Sequence, residues 1–211
     1  AFKTDHIEEA RMVRGEWVDR PAGDAIFAPY FVDALHLKGR GKKEGIKPNI
    51  KYPIVCGWDP GSANTAVIFM QNITGAQNSP WIIFDEFVAI KKKLPYTALV
   101  PLVMRKMKAW NNKMNHEFTF VHISDNSAFN QYRAKSGSYD VQDIEEISKK
   151  KADTFNLKPI RMRPCPKFPG SVEARIRITI AKLQQDALLL SNQCPEMKKS
   201  FKNLVSEKPG K

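Results

Sequence analysis

The sequence contains no run of about eighteen apolar residues, so no part of it is built to cross a membrane as a helix. Cysteine is scarce. Cys56, Cys165 and Cys194 are far apart and odd in number, which argues against a disulfide framework and suits a reducing cytoplasm. No CxxC or HxxxH pair occurs, so zinc-ligand spacing is missing as well. A phosphate-binding P-loop is also lacking. Gly39-Arg40-Gly41-Lys42-Lys43-Glu44-Gly45 is glycine-rich and basic, but it lacks the GxxxxGK[ST] spacing and reads as a flexible loop. No other ATPase signature is present. Residues 1–9 mix charges with single apolar residues, unlike a signal peptide. No initiator methionine precedes them, as expected of a fragment or a processed product.

Positive charge is abundant. Thirty-four Lys and Arg against 22 Asp and Glu give a net charge of +12, above the magnitude of about 2 to 8 usual for small soluble domains. The excess points to a polyanionic partner, nucleic acid ahead of an acidic membrane surface. Hydrophobic residues make up 42% of the 211, enough to build a real core in one or two domains.

Residues 1–50 read as an arm or linker. They hold a short helix candidate at 7–13, the run Gly15-Glu16-Trp17 and an aromatic cluster of Phe27, Tyr30 and Phe31. Residues 51–211 read as an α/β domain. Apolar runs at 54–58, 65–70 and 81–88 are separated by turn signals, so three strands in consecutive antiparallel hairpins are expected. Leu99, Val103, Met107 and Trp110 share one helix face. Residues 118–124 alternate as a fourth strand, parallel to its neighbour because a helix precedes it. His122 alternates with Phe118 and Phe120 and reads as a packed strand residue. A helix at 141–150 and a short strand at 158–163 follow. A long helix is expected from Ser171 as N-cap through Leu190, then a polar helix at 196–204. The fold class is α/β with a mixed sheet, antiparallel first and parallel later.

Two acids stand out by position. Asp59 closes the first strand and Asp125 the fourth. If those strands are adjacent and parallel, both carboxylates project at one end of the sheet, about 4.8 Å apart at the backbone. Hard oxygen ligands select Mg2+ or Mn2+ over zinc. Such ions, paired, activate a water and stabilise the leaving oxygen in phosphodiester cleavage. The competing reading is local: Asp-Pro-Gly is a good turn, and Asp125-Asn126-Ser127 a good helix start. Glu86, near the end of the third strand, is a further metal candidate. It should lie roughly 10 Å from Asp59, better placed for a water-mediated role. Asp85 faces the other way. Lys91, Lys92 and Lys93 follow the third strand at the acid end and are candidates for DNA phosphate contacts. Arg175 is a further candidate for a phosphate or a carboxylate.

These motifs carry a resemblance. Gly57-Trp58-Asp59-Pro60-Gly61 with Thr65-Ala66-Val67 resembles the first hairpin of RNase H-like nucleases. His122-Ile123-Ser124-Asp125-Asn126-Ser127-Ala128 resembles the fourth-strand acid motif of tailed-bacteriophage large terminases. Pro169-Gly170-Ser171-Val172-Glu173-Ala174-Arg175-Ile176 resembles the loop and long helix that follow it. Gly15-Glu16-Trp17 with Ala25-Ile26-Phe27 resembles the segment joining the terminase ATPase to its nuclease. The resemblance implies an RNase H-like, RuvC-like domain that cuts concatemeric double-stranded DNA during packaging. The metal would be Mg2+ or Mn2+, with Asp59 and Asp125 as ligands and catalytic residues. In the parent, an ATPase domain, a small terminase subunit and the procapsid portal would be partners, in the cytoplasm of an infected bacterium. The family's third acid lies in an Asp-Ala helix that this sequence does not reach. Asp186-Ala187 has the letters but reads as a solvent-facing part of the long helix. Two alternatives stay open: another RNase H-like nuclease (a resolvase or hybrid nuclease), and a basic DNA-binding or assembly module without catalysis.

Overall fold

The structure is a computed structural model that describes residues 24–39, 45–60, 65–75, 79–89, 94–130, 132–133, 138–166 and 169–206. The helix candidate at 7–13, the Gly15-Glu16-Trp17 run and Lys91–Lys93 lie outside the described residues.

In chain order the elements are β1 (Asp24–Ala25), α1 (Asp33–His36), β2 (Leu37–Lys38), β3 (Ile54–Asp59), β4 (Thr65–Asn72) and β5 (Trp81–Ala89). Then come α2 (Tyr96–Met114), β6 (Phe120–Ser124), α3 (Ser127–Asn130), β7 (Tyr132–Arg133), β8 (Ser138–Tyr139) and α4 (Asp140–Phe155). The chain continues through β9 (Met162–Pro164), α5 (Ser171–Gln184), β10 (Leu188–Ser191), α6 (Pro195–Asn203) and β11 (Val205–Ser206). Seven strands form the central sheet in the order β2-β10-β5-β4-β3-β6-β9. Only β4 runs against its neighbours; the β3–β4 and β4–β5 pairs are the expected hairpins, and the rest are parallel.

Strand alternation sends two sets of side chains to two faces. Ile54, Cys56 and Trp58 of β3 and Val67 and Phe69 of β4 join Leu99, Val103 and Met107 of α2 and Ile144 of α4 in the larger core. On the opposite face Ile83 and Leu190 pack with Phe31, Leu183, Cys194 and Phe201. A register shift at Phe69/Met70 leaves Phe84 without a ladder partner on β4. This bulge turns both Phe84 and Asp85 toward α2, where Lys106 Nζ (2.7 Å) and Trp110 Nε1 (2.8 Å) donate to the Asp85 carboxylate.

Several element boundaries differ from expectation. The long helix stops at Gln184, and the backbone turns through Asp186 at φ 52°. Leu188–Ser191 then forms a strand between β2 and β5. Asp186-Ala187 therefore belongs to a left-handed turn, not a helix face. Asp tolerates that conformation, and three consecutive leucines gain more by filling a sheet slot covered on its sides than by continuing a half-exposed helix. Gly170, at φ 77°, occupies the N-cap position; Ser171 is the first helical residue and is buried. The fifth strand shortens to Met162–Pro164. Within the span read as an arm, residues 24–39 dock on the domain. His36 is buried, with Val32 N–H donating to Nδ1 (2.8 Å) and Nε2 donating to the Leu183 carbonyl (2.8 Å). Asp33 meets Lys198 (2.7 Å) and Lys202 (3.0 Å) of α6. Burial alone would raise the Asp33 pKa, but the two lysines hold it below the ordinary range.

Candidate metal centre at paired strand ends

β3 and β6 lie side by side and parallel, with Trp58 opposite Ser124 as the last registered pair. The next residue on each strand is an acid: Asp59 and Asp125. Trp58 and Ser124 are both buried toward the larger core, so alternation turns Asp59 and Asp125 to the opposite face together. Asp59 is exposed and Asp125 half-buried. The sequence placed the two carboxylates at neighbouring strand ends, and the structure brings them there.

The frame beneath them is hydrogen-bonded on three sides. Trp58 Nε1–H donates to His122 Nδ1 at 3.0 Å. That bond fixes the proton of a neutral His122 on Nε2. Burial lowers the His122 pKa to about 4, so the ring is neutral at neutral pH and acts as an acceptor inside the core. Ser124 Oγ donates to the Trp58 carbonyl (3.1 Å), and Cys165 N–H donates to the Ser124 carbonyl (2.8 Å), extending the ladder one step past β9. Tyr96 Oη donates to the Pro60 carbonyl (3.2 Å) and anchors the turn that leaves Asp59. Asn126 N–H donates to Asp125 Oδ1 at 2.7 Å, and Ala128 N–H to the Asp125 carbonyl at 3.1 Å. Asp125 therefore both starts α3 and presents its second carboxylate oxygen at the strand end.

Glu86 is not brought to this pair. It sits on β5, opposite Ile68 of β4, with Gly57 of β3 beyond, two residues below Asp59 and two strands away. Its oxygens accept the Glu196 and Met197 N–H groups of α6, each at 2.8 Å. Burial raises the Glu86 pKa despite those two bonds. Its visible task is to hold the first turn of α6. Sequence reasoning missed this because the partner lies about 110 positions later. Gly57 has a packing reason of its own: a Cβ there would meet Ile68 Cγ1 at 3.1 Å. Arg175 is exposed on α5, and its Nε donates to the Ser171 carbonyl at 3.1 Å.

Two carboxylates at adjacent strand ends are a donor set suited to one hard divalent cation completed by water. Among the described residues no group of three or more His, Cys, Asp or Glu is placed to hold a metal.

The fold is the RNase H-like fold of large terminase nuclease domains. The large terminase of a thermophilic bacteriophage superposes with a TM-score of 0.57 at 16% identity, over 90% of this chain and 39% of that protein. The same terminase in complex with ADP gives 0.55 at 15% identity, over 90% of this chain and 38% of that protein. The nuclease domain of the phage P22 large terminase gives 0.53 at 15% identity, over 89% of this chain and 81% of that domain. No protein-family profile and no curated protein matches the sequence. No described helix is long and apolar enough to cross a membrane.

Proposed function

We propose that the chain is a divalent-metal-dependent DNA endonuclease domain that cuts concatemeric double-stranded DNA during phage genome packaging. One observation carries the reading: Asp59 and Asp125 occupy the next step beyond the Trp58–Ser124 pair, on one face of a sheet whose fold is that of terminase nuclease domains. The net charge of +12 favours the same substrate class.

Asp59 and Asp125 would hold Mg2+ or Mn2+. A bound ion there supplies Lewis-acid polarisation of a phosphate oxygen and a water made acidic enough to attack. The residues of the chain do the positioning. The Trp58–His122 bond and the Ser124–Trp58 bond keep the two strand ends in register. Tyr96 holds the turn after Asp59, and Asn126 fixes the carboxylate plane of Asp125. Lys91, Lys92 and Lys93, which follow β5 in sequence, are proposed phosphate contacts, as is Arg175. The thermophilic-phage terminase, captured with ADP, supports an ATPase domain in the parent. A small subunit and a portal as partners, and action in the bacterial cytoplasm, belong to the same proposal.

The test is metal-dependent nicking of supercoiled plasmid by wild type, Asp59→Asn and Asp125→Asn. Both variants keep size and turn propensity while removing a charged ligand. Cleavage should fall to background in each, with the thermal melt unchanged. Wild-type cleavage by either variant removes that acid from the centre. A second reading, a basic DNA-binding module without catalysis, draws on the lack of a third metal-binding side chain among the described residues. Binding of duplex without cleavage at any Mg2+ or Mn2+ concentration would favour it.

A further inference from the structure

We propose that Arg163 is a phosphate-positioning residue for the nucleic-acid strand presented to Asp59 and Asp125; the inference rests on the nuclease reading above. β9 is the edge strand beside β6, with Ile123 opposite Arg163 and Ser124 opposite Pro164. Met162 points into the larger core, so Arg163 points to the other face, the face of Asp59 and Asp125. Ile123 is two residues before Asp125. One strand spacing and two residue rises put the Arg163 backbone about 8 Å from that of Asp125. An extended arginine on one side and the carboxylates on the other thus leave room for a phosphate between them.

The floor of this region favours an approaching backbone. Val55 and Gly57 of β3 and Val121 and Ile123 of β6 share that face and are only half-buried, whereas Ile54, Cys56, Trp58, His122 and Ser124 toward the larger core are buried. No described helix seals this half of the sheet as α2 and α4 seal the other side.

Arg163 also has no carboxylate partner among the described residues, unlike several cations around it. Lys106 meets Asp85, Lys198 and Lys202 meet Asp33, and Lys199 meets Glu196. Arg161, two residues earlier on the same edge, meets Glu145 at 3.5 Å. Arg163 is exposed and has no hydrogen-bond or ion-pair partner among the described residues. A guanidinium on the face of the two carboxylates, without an ion-pair partner among the described residues and beside a half-buried floor, is suited to bidentate contact with a phosphate.

The experiment compares Arg163→Ala, Arg163→Lys and Arg161→Ala in the 211-residue chain. Duplex affinity is measured against salt in EDTA, and plasmid cleavage is measured with Mn2+. Arg163→Ala should flatten the salt slope by about 1 and weaken binding about tenfold. Arg163→Lys should keep the slope yet recover only part of kcat, because a point charge lacks the planar fork. Arg161→Ala should alter both less. A wild-type slope and wild-type kcat/KM in Arg163→Ala overturn the assignment, and so does an equal loss in Arg161→Ala. Asp59→Asn, run alongside, keeps the two claims apart. If that variant still cuts, Asp59 leaves the centre; if the wild type does not cut at any Mg2+ or Mn2+ concentration, the nuclease reading fails; in both cases the binding arm continues to judge Arg163 as a phosphate contact.

Discussion

Replacing Glu86 with glutamine separates a helix anchor from a metal ligand. Both carboxylate oxygens accept N–H groups from the first turn of α6 at 2.8 Å, in a buried setting. Glutamine supplies one carbonyl oxygen, so its NH2 must face the second N–H. An unsatisfied buried donor costs about 1–3 kcal/mol. Loss of negative charge at the helix N-terminus adds to the penalty, while relief of charge burial subtracts from it. A net loss of about 2 kcal/mol follows, or about 4–8 °C in Tm for a chain of this size. The pH dependence has a definite sign. Burial raises the Glu86 pKa in the folded state, so its favourable contribution is complete below the ordinary glutamate range and is lost as pH rises through the folded pKa. A protonated carboxyl can still accept both N–H groups, which glutamine cannot. The gap between wild type and Glu86→Gln should therefore be widest in mild acid and narrow toward neutrality. Thermal melts across that range, with a Mn2+ titration of plasmid cleavage beside them, read both properties. The reasoning fails if Glu86→Gln melts like wild type at every pH while its metal requirement rises.

Three further outcomes are expected. Cys56 and Cys194 are buried, and burial pushes their thiols up, whereas Cys165 is half-buried next to the Asp125 strand end. A thiol reagent should therefore modify one cysteine quickly and two only on unfolding, and bound duplex should slow the fast phase; three equal rates would refute the packing. Ile144→Ala empties a fully buried position between α4 and the sheet and should cost about 2–5 kcal/mol in a denaturant melt, with metal dependence unchanged. With two carboxylates at the centre, Mn2+ should support cleavage at lower concentration than Mg2+, because Mg2+ demands stricter octahedral geometry; equal titration curves would point to further ligands.

The pair Asp59 and Asp125 was legible because each acid ends an apolar strand abruptly, and a single helix between the hairpins and the fourth strand makes that strand parallel to its neighbour. Period and crossover then place both carboxylates without any knowledge of side-chain packing. The same logic failed at Leu188–Ser191, where Leu183, Ala187 and Leu190 repeat at helical spacing. The break is carried by the left-handed Asp186, which no hydrophobic count registers. β10 exists because β5 offers an open edge and β2 closes the other side, and β2 is a two-residue strand with no periodicity to read. The contacts of Glu86 were hidden for a related reason. Its distance of two strands from Asp59 could be read from the hairpins, but the backbone groups it binds arrive with α6, after the chain has added β10 to the sheet. Short-range pattern thus located the acids on strands that follow one another through a single hairpin or helix. It lost its hold where an element's identity depended on a distant edge. Arg163 lies between these cases: its face follows from simple alternation once β9 is registered on β6, yet that register, and the pairing of its neighbour Arg161 with Glu145, appear only in the folded chain.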